Sequence, residues 1–204
     1  MMGKFFIIVI TSDKTVDDEA EKIETLLRNG VDIVHIRKPD WSLRDVRNLI
    51  ENIDYRYRNR IRLHGHFELL NEMNLGGVHL NHRNPAAPAT AKAVSRSCHS
   101  IEELERTAEF DYVTLSPIFD SISKSGYTSR FDIDNIREDI IGRRVVALGG
   151  VTADTLLPLY EKGFIGAALL GYIWNGDFER QLASLERSIK QLKHHIAPHD
   201  GMAK

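Results

Sequence analysis

Short apolar runs alternate with segments of helical period along the chain, eight times over. FFIIVI (5–10) predicts a buried strand, and the helix after it carries Val16, Ala20, Ile23 and Leu27 at spacings of 4, 3 and 4 before Gly30 stops it. VDIVHI (31–36) leads to a second helix with Leu43, Val46, Ile50 and Ile53 on one face and Ser42 as its N-cap. RIRLHG (60–65) and GGVHL (76–80) are strands three and four, separated by a short helix. VSRSC (94–98) precedes a helix capped by Ser100, with Glu103 completing a capping box. DYVTLSPI (111–118), RVVALGG (144–150) and GAALLGYIW (166–174) are strands six to eight, and the closing helix buries Phe178, Leu182, Leu185, Ile189 and Leu192.

Strands this apolar, each followed by a helix, imply a parallel sheet whose outer face is covered. Eight βα units in a chain of 204 residues match a small (β/α)8 TIM barrel with a single domain. An open doubly wound sheet is the alternative, but no GxGxxG follows strand one. Residues 1–194 form the barrel in this reading, and 195–204 a frayed tail whose histidines carry no role. The stretch from Asp120 to Glu138 is the longest interruption, and a loop of that length in a compact domain is usually functional or mobile.

Composition narrows the function classes. Hydrophobic residues make up 42% of the chain, enough for one sizeable core. The 27 basic and 29 acidic residues nearly cancel, so nothing argues for a nucleic-acid or membrane partner, and small phosphorylated substrates remain. A single cysteine, Cys98, excludes an intramolecular disulfide and suits a cytoplasmic protein. The opening apolar run is too short to span a bilayer and lacks a small-residue cleavage pattern, so it reads as a strand. An exposed helix face could support a homodimer.

In such a barrel the chemistry sits where strands end and the following loops begin. That rule selects Thr11, Ser12, His35, Arg37, His64, His66, His79, Ser97, the loop from Ser116 to Lys124, Gly149, Gly150 and Gly171. His35 and Arg37 share parity, so both could face the mouth, and an arginine there needs an anion or a carboxylate. The alternative is an internal salt bridge. SPIFDSISKSGYTSR (116–130) combines hydroxyls, a glycine and two cations, the makings of a phosphate clamp, although a solvated loop has the same composition. ALGGV (147–151), then Thr152 and a helix, is more specific, because glycines let a backbone approach a ligand and helix starts favour phosphate. Tight strand packing would explain the same glycines. His64 and His66 invite a zinc reading, which would need His79 or His82 as a further ligand, and no metal site is expected from the pair alone.

VDIVHIRK, FELLNEMNLGGVHL, SCHSIEELE, DYVTLSPIF, VVALGGVT and GFIGAALLGYIW, each at a strand end, together resemble the thiamin phosphate synthases and their TenI-type thiazole tautomerase relatives. The resemblance implies a (β/α)8 barrel that joins a thiazole phosphate to hydroxymethylpyrimidine pyrophosphate with Mg2+. It assigns Arg37, Ser97, and the Ser121, Ser123 and Lys124 run to the pyrophosphate side, and Gly149, Gly150 and Gly171 to the thiazole phosphate. The family's strand-two lysine falls at Pro39, with Lys38 one residue away.

The metal positions depart from the synthase pattern. Gly65 stands at one magnesium carboxylate and Asn84 at the other, and a hard cation wants oxygen ligands that imidazoles do not replace. Mg2+ is therefore the family's cofactor but not an expected one here. Tautomerases also lack those carboxylates and share the H-I-R of strand two. Their catalytic histidine, however, corresponds to Pro117, which stays a substrate-side candidate. His64 or His66 could supply the acid/base from another strand. Three readings stay open: coupling, metal-free tautomerisation, and a non-catalytic thiazole phosphate-binding protein.

Overall fold

Residues 4–120, 129, 131–140 and 142–197 are described by a computed structural model of the chain. Strands β1 (Phe6–Ile10), β2 (Ile33–Ile36), β3 (Ile61–Leu63), β4 (Gly77–Leu80), β5 (Val94–Cys98), β6 (Tyr112–Leu115), β7 (Val145–Leu148) and β8 (Gly166–Leu169) close in sequence order into one parallel barrel. Between and after them lie α1 (Glu19–Arg28), α2 (Leu43–Glu51), α3 (Tyr55–Arg58), α4 (Leu69–Glu72), α5 (Arg137–Ile140), α6 (Leu156–Glu161), α7 (Gly171–Trp174) and α8 (Phe178–Ile196). The fold is the expected (β/α)8 barrel.

Local rules account for the elements. Ser42 caps α2 by accepting from the Asp45 N–H at 3.2 Å, and Val46, Leu49 and Ile50 bury one face. Ser100 accepts from the Glu103 N–H, and the Glu103 carboxylate takes the His99 N–H at 2.8 Å. The element that follows is a 3-10 helix, Glu102–Arg106, after which the Thr107 hydroxyl donates to the Leu104 carbonyl at 2.8 Å. Gly30 leaves α1 at φ 104°, a left-handed conformation that suits glycine.

Several boundaries differ from the periodic reading: Ser116–Ile118 and Gly149–Gly150 lie beyond the ends of β6 and β7, in the loops that follow. GYIW is the helix α7 rather than the end of strand eight. The closing helix runs through His194 and His195 to Ile196, past the boundary read at 194, and Phe178 is only half-buried while Leu182, Leu185, Ile189 and Leu192 are buried.

The two faces of the barrel wall have different chemistry. Outward residues such as Val9, Val34, Leu63, Val78, Leu115 and Val145 pack under the helices, each worth roughly 1.5–3 kcal/mol when fully buried. The inward set is divided. On β1, β6, β7 and β8 it includes Ile8, Ile10, Tyr112, Val146 and Ala168. Across β2 to β6 the same parity carries His35, Arg62, His79, Ser95, Ser97 and Thr114, in register through Ile10 with His35, His35 with Arg62, His79 with Ser95, and Ser97 with Thr114. Half of the barrel's interior is thus polar.

Candidate active site

His35, His64 and His79 meet at the polar side of the barrel mouth. His35 and His79 are fully buried, and His64, just past β3, keeps part of its surface open. Its ring stacks on His79 with centroids 4.4 Å apart, and its Nε2 lies 2.9 Å from His35 Nδ1. The other nitrogen of His35 lies 2.6 Å from the Tyr112 hydroxyl. His79 is held on both sides, Nδ1 by Ser95 Oγ at 2.8 Å and Nε2 by Ser97 Oγ at 2.9 Å. Because the Ser95 hydroxyl donates to the Val78 carbonyl, it accepts from His79 Nδ1–H, which leaves the Nε2 lone pair facing Ser97.

Burial sets the charge of this cluster. It drives the His35 and His64 imidazoles well below the usual histidine range, with the neighbouring rings adding to the effect, and takes His79 down to about 3. The open edge of His64 tempers the effect there. Burial also pushes the Tyr112 phenol up to about 12, so all four groups are uncharged at pH 7. Arg62 lies below them, its guanidinium nitrogen Nε buried without a partner among the described residues.

The loop after β3 turns the two histidines of HGH apart. His66 adopts φ 53° and points its Nε2 at the Trp41 carbonyl, 2.9 Å away, with Glu68 on its other side. His64 alone joins the cluster, and its carbonyl accepts from the side-chain amides of both Asn81 and Asn84 at 2.8 Å. Gly65 and Asn84 face each other: a Cβ on Gly65 would stand 3.3 Å from Asn84 Nδ2. The geometry therefore pairs the two positions, but an amide donor and a bare glycine do not make a magnesium site, and Mg2+ does not fit these residues.

The other candidates divide. Arg37 stands at the rim, partly exposed, 3.9 Å from Asp13, with its backbone N–H on Thr11 Oγ1. Lys38 turns away from the mouth. Its ammonium is buried against Glu19 at 2.7 Å, the Lys14 carbonyl and the face of Trp41. It cannot replace the family's missing lysine. Gly149 and Gly150 adopt φ 92° and 65°, and a Cβ on either would press into Pro117 or the Phe119–Asp120 backbone. Close packing of the two loops thus explains both glycines, while among the described residues no acceptor takes the N–H of Gly150 or Val151. Gly171 opens α7 beside this loop's strand neighbour. Ser121, Ser123 and Lys124 lie outside the described residues. A groove of about 900 Å3 between α1 and α2, lined by Glu19, Trp41 and Asp45 among others, is outside the barrel and holds none of these candidates.

Tyr112 and Ser95 do not stand at the C-terminal strand ends, because both sit deeper in the barrel. Their signal was parity: Tyr112 alternates with Thr114, and Ser95 with Ser97.

Comparison with known proteins decides the family. The family model described as Thiamine monophosphate synthase matches residues 6–173. The chain belongs to the thiamine monophosphate synthase family. Within that family it is similar to a thiamine phosphate pyrophosphorylase of Bacteroides thetaiotaomicron, a solved structure with TM-score 0.82 and 35% identity over 95% of this chain and 100% of that one. The thiamine-phosphate synthase of Limosilactobacillus reuteri is 25% identical, covering 84% of this chain and 86% of its own. A thiamine phosphate pyrophosphorylase from Pyrococcus furiosus shares the fold, with TM-score 0.75 at 17% identity over 92% and 96% of the two chains. Among the described residues no helix is long and apolar enough to cross a membrane.

Proposed function

We propose that this member of the thiamine monophosphate synthase family is a cytoplasmic enzyme of thiamin biosynthesis that binds a thiazole phosphate at the barrel mouth. We propose further that it acts there by metal-free proton transfer through His64. One observation carries the reading: His64, hydrogen-bonded to His35, stands beside Gly65 and Asn84, where the family's coupling reaction needs two carboxylates. Aromatising a thiazole tautomer moves one proton off carbon and returns one elsewhere, which asks for an acid/base and no Lewis acid. His35, itself held by the Tyr112 hydroxyl, fixes the His64 ring. The N–H groups of Gly150 and Val151 and the surroundings of Gly171 would receive the phosphate.

A second reading, coupling of the thiazole phosphate to hydroxymethylpyrimidine pyrophosphate, is favoured by the family match and by Arg37 and Ser97 in matching positions. One assay separates them. The purified protein is incubated with the thiazole phosphate carboxylate tautomer, and separately with both coupling substrates, each with and without Mg2+. Turnover of the tautomer without Mg2+ supports the first reading, thiamin phosphate formed only with Mg2+ supports the second, and thiazole phosphate binding without any turnover would leave a carrier.

A further inference from the structure

We propose that His35, His64 and His79 form a binding site for one divalent transition-metal ion of the zinc class. This goes beyond the proton-transfer reading, which belongs to the metal-free protein, and shares His64 and its partner His35 with it. Each histidine offers a ring nitrogen, and the three nitrogens lie within 4.8 Å of one another. Zinc–nitrogen bonds of about 2.0–2.1 Å at tetrahedral angles put ligand nitrogens roughly 3.4 Å apart, so the rings need to shift by no more than about 1.5 Å.

The outer nitrogens are already held in the way a metal site requires. Ligating imidazoles donate their second N–H to an oxygen, which fixes the tautomer and aims the lone pair. His79 gives Nδ1–H to Ser95 Oγ, and Ser95 is in turn fixed on the Val78 carbonyl. His35 has the Tyr112 hydroxyl at its Nε2. The inward nitrogens are then His35 Nδ1 and His64 Nε2, which now share one hydrogen bond, and His79 Nε2, which faces Ser97. An ion entering would replace that shared hydrogen bond, with the proton moving to the His35 nitrogen that faces Tyr112, and no net charge would leave the protein. Neutral nitrogen donors without a carboxylate select a borderline cation over Mg2+. His64 is open to the mouth, so a fourth position can take water or an oxygen of a ligand.

The pairing was invisible in HGH, because the loop sends His66 to the Trp41 carbonyl while two other strands supply the partners.

The test is titration of the chelator-treated, folded chain with Zn2+ alone and, for a spectrum, Co2+ alone. The expected result is one Zn2+ per chain at micromolar or tighter dissociation constant, and the visible absorption of four-coordinate Co2+. His64→Gln, at the least buried of the three positions, should weaken Zn2+ binding by 100-fold or more, whereas His66→Gln and His82→Gln leave it unchanged. Binding weaker than millimolar, or tight binding that survives His64→Gln, overturns the site. Since the titration contains no thiazole, its failure leaves the proton-transfer reading untouched, and absent turnover of the thiazole tautomer leaves the zinc site untouched.

Discussion

Asn84 Nδ2 donates to the His64 carbonyl at 2.8 Å and also stands 3.3 Å from where a side chain at Gly65 would begin. The two places where the family keeps metal carboxylates are therefore adjacent here, joined through the backbone of the residue between strand and loop. Adjacent positions without anionic oxygen make a strong statement about Mg2+.

Mg2+ alone should bind the chain no tighter than the millimolar range, roughly −4 kcal/mol or weaker. Gly65→Asp combined with Asn84→Asp should tighten it at least tenfold, because each adds a hard anionic ligand. Without metal the double variant should lose about 1 kcal/mol of stability, since one of the two amides on the His64 carbonyl becomes a carboxylate while Asn81 still donates, and Mg2+ should restore part of it. Calorimetry giving micromolar Mg2+ affinity in the wild type would contradict this.

The histidine cluster should make the protein acid-sensitive. The folded pKa values of His35, His64 and His79 are depressed, so the unfolded chain binds protons first as pH falls below about 6.5. Stability is fully present above that pH and is lost as pH drops towards the folded values, at up to about 1.4 kcal/mol per pH unit for each histidine. Urea unfolding between pH 6.5 and 5 should show that slope, and His79→Gln should reduce it by about one proton. Equal slopes in both proteins would refute the assignment.

The Lys38–Glu19 pair holds α1 to the strand-two loop and takes no part in the site. Burial pushes the Glu19 carboxyl up, while the Lys38 hydrogen bond and charge pull it down, and Glu19 Oε1 has no partner among the described residues. Lys38→Met should cost about 3–5 kcal/mol by stranding Glu19, and Lys38→Met with Glu19→Leu should recover most of it. Activity per folded molecule should stay near wild type in the double variant. A single-variant cost below about 1 kcal/mol would sink the argument.

An anion should bind on the backbone N–H groups of Gly150 and Val151 and near Gly171, since the Thr152 N–H already donates to Thr155 Oγ1. The motive is the pair of N–H groups at Gly150 and Val151 that no acceptor among the described residues takes. A crystal soaked in phosphate or thiazole phosphate should carry the phosphorus there. Density elsewhere with this pocket empty would remove the idea.

The barrel was legible because the outward faces, apart from Arg96 on β5, are apolar runs whose period does not depend on what the interior holds. Ser42, Gly30 and the helix faces follow from local rules that act within a few residues. The His35–His64–His79 cluster was only half legible. His35, His64 and His79 each stood at a strand end in the sequence, but their meeting depends on the register of β2, β3 and β4, which no local pattern encodes. Tyr112 and Ser95 lie one step deeper and carry no strand-end mark. The choice between His64 and His66 was left open by the sequence because it depends on where the strand ends. The strand stops at Leu63, and φ 53° at His66 turns its side chain away from the side His64 faces.

The most direct test of His64 as the proton-transfer residue is the steady-state rate with the thiazole phosphate carboxylate tautomer, measured on chelator-treated wild type and His64→Gln. If His64 is the acid/base, kcat should fall by about 100-fold or more while thiazole phosphate affinity changes little. Full wild-type turnover in His64→Gln would contradict the account.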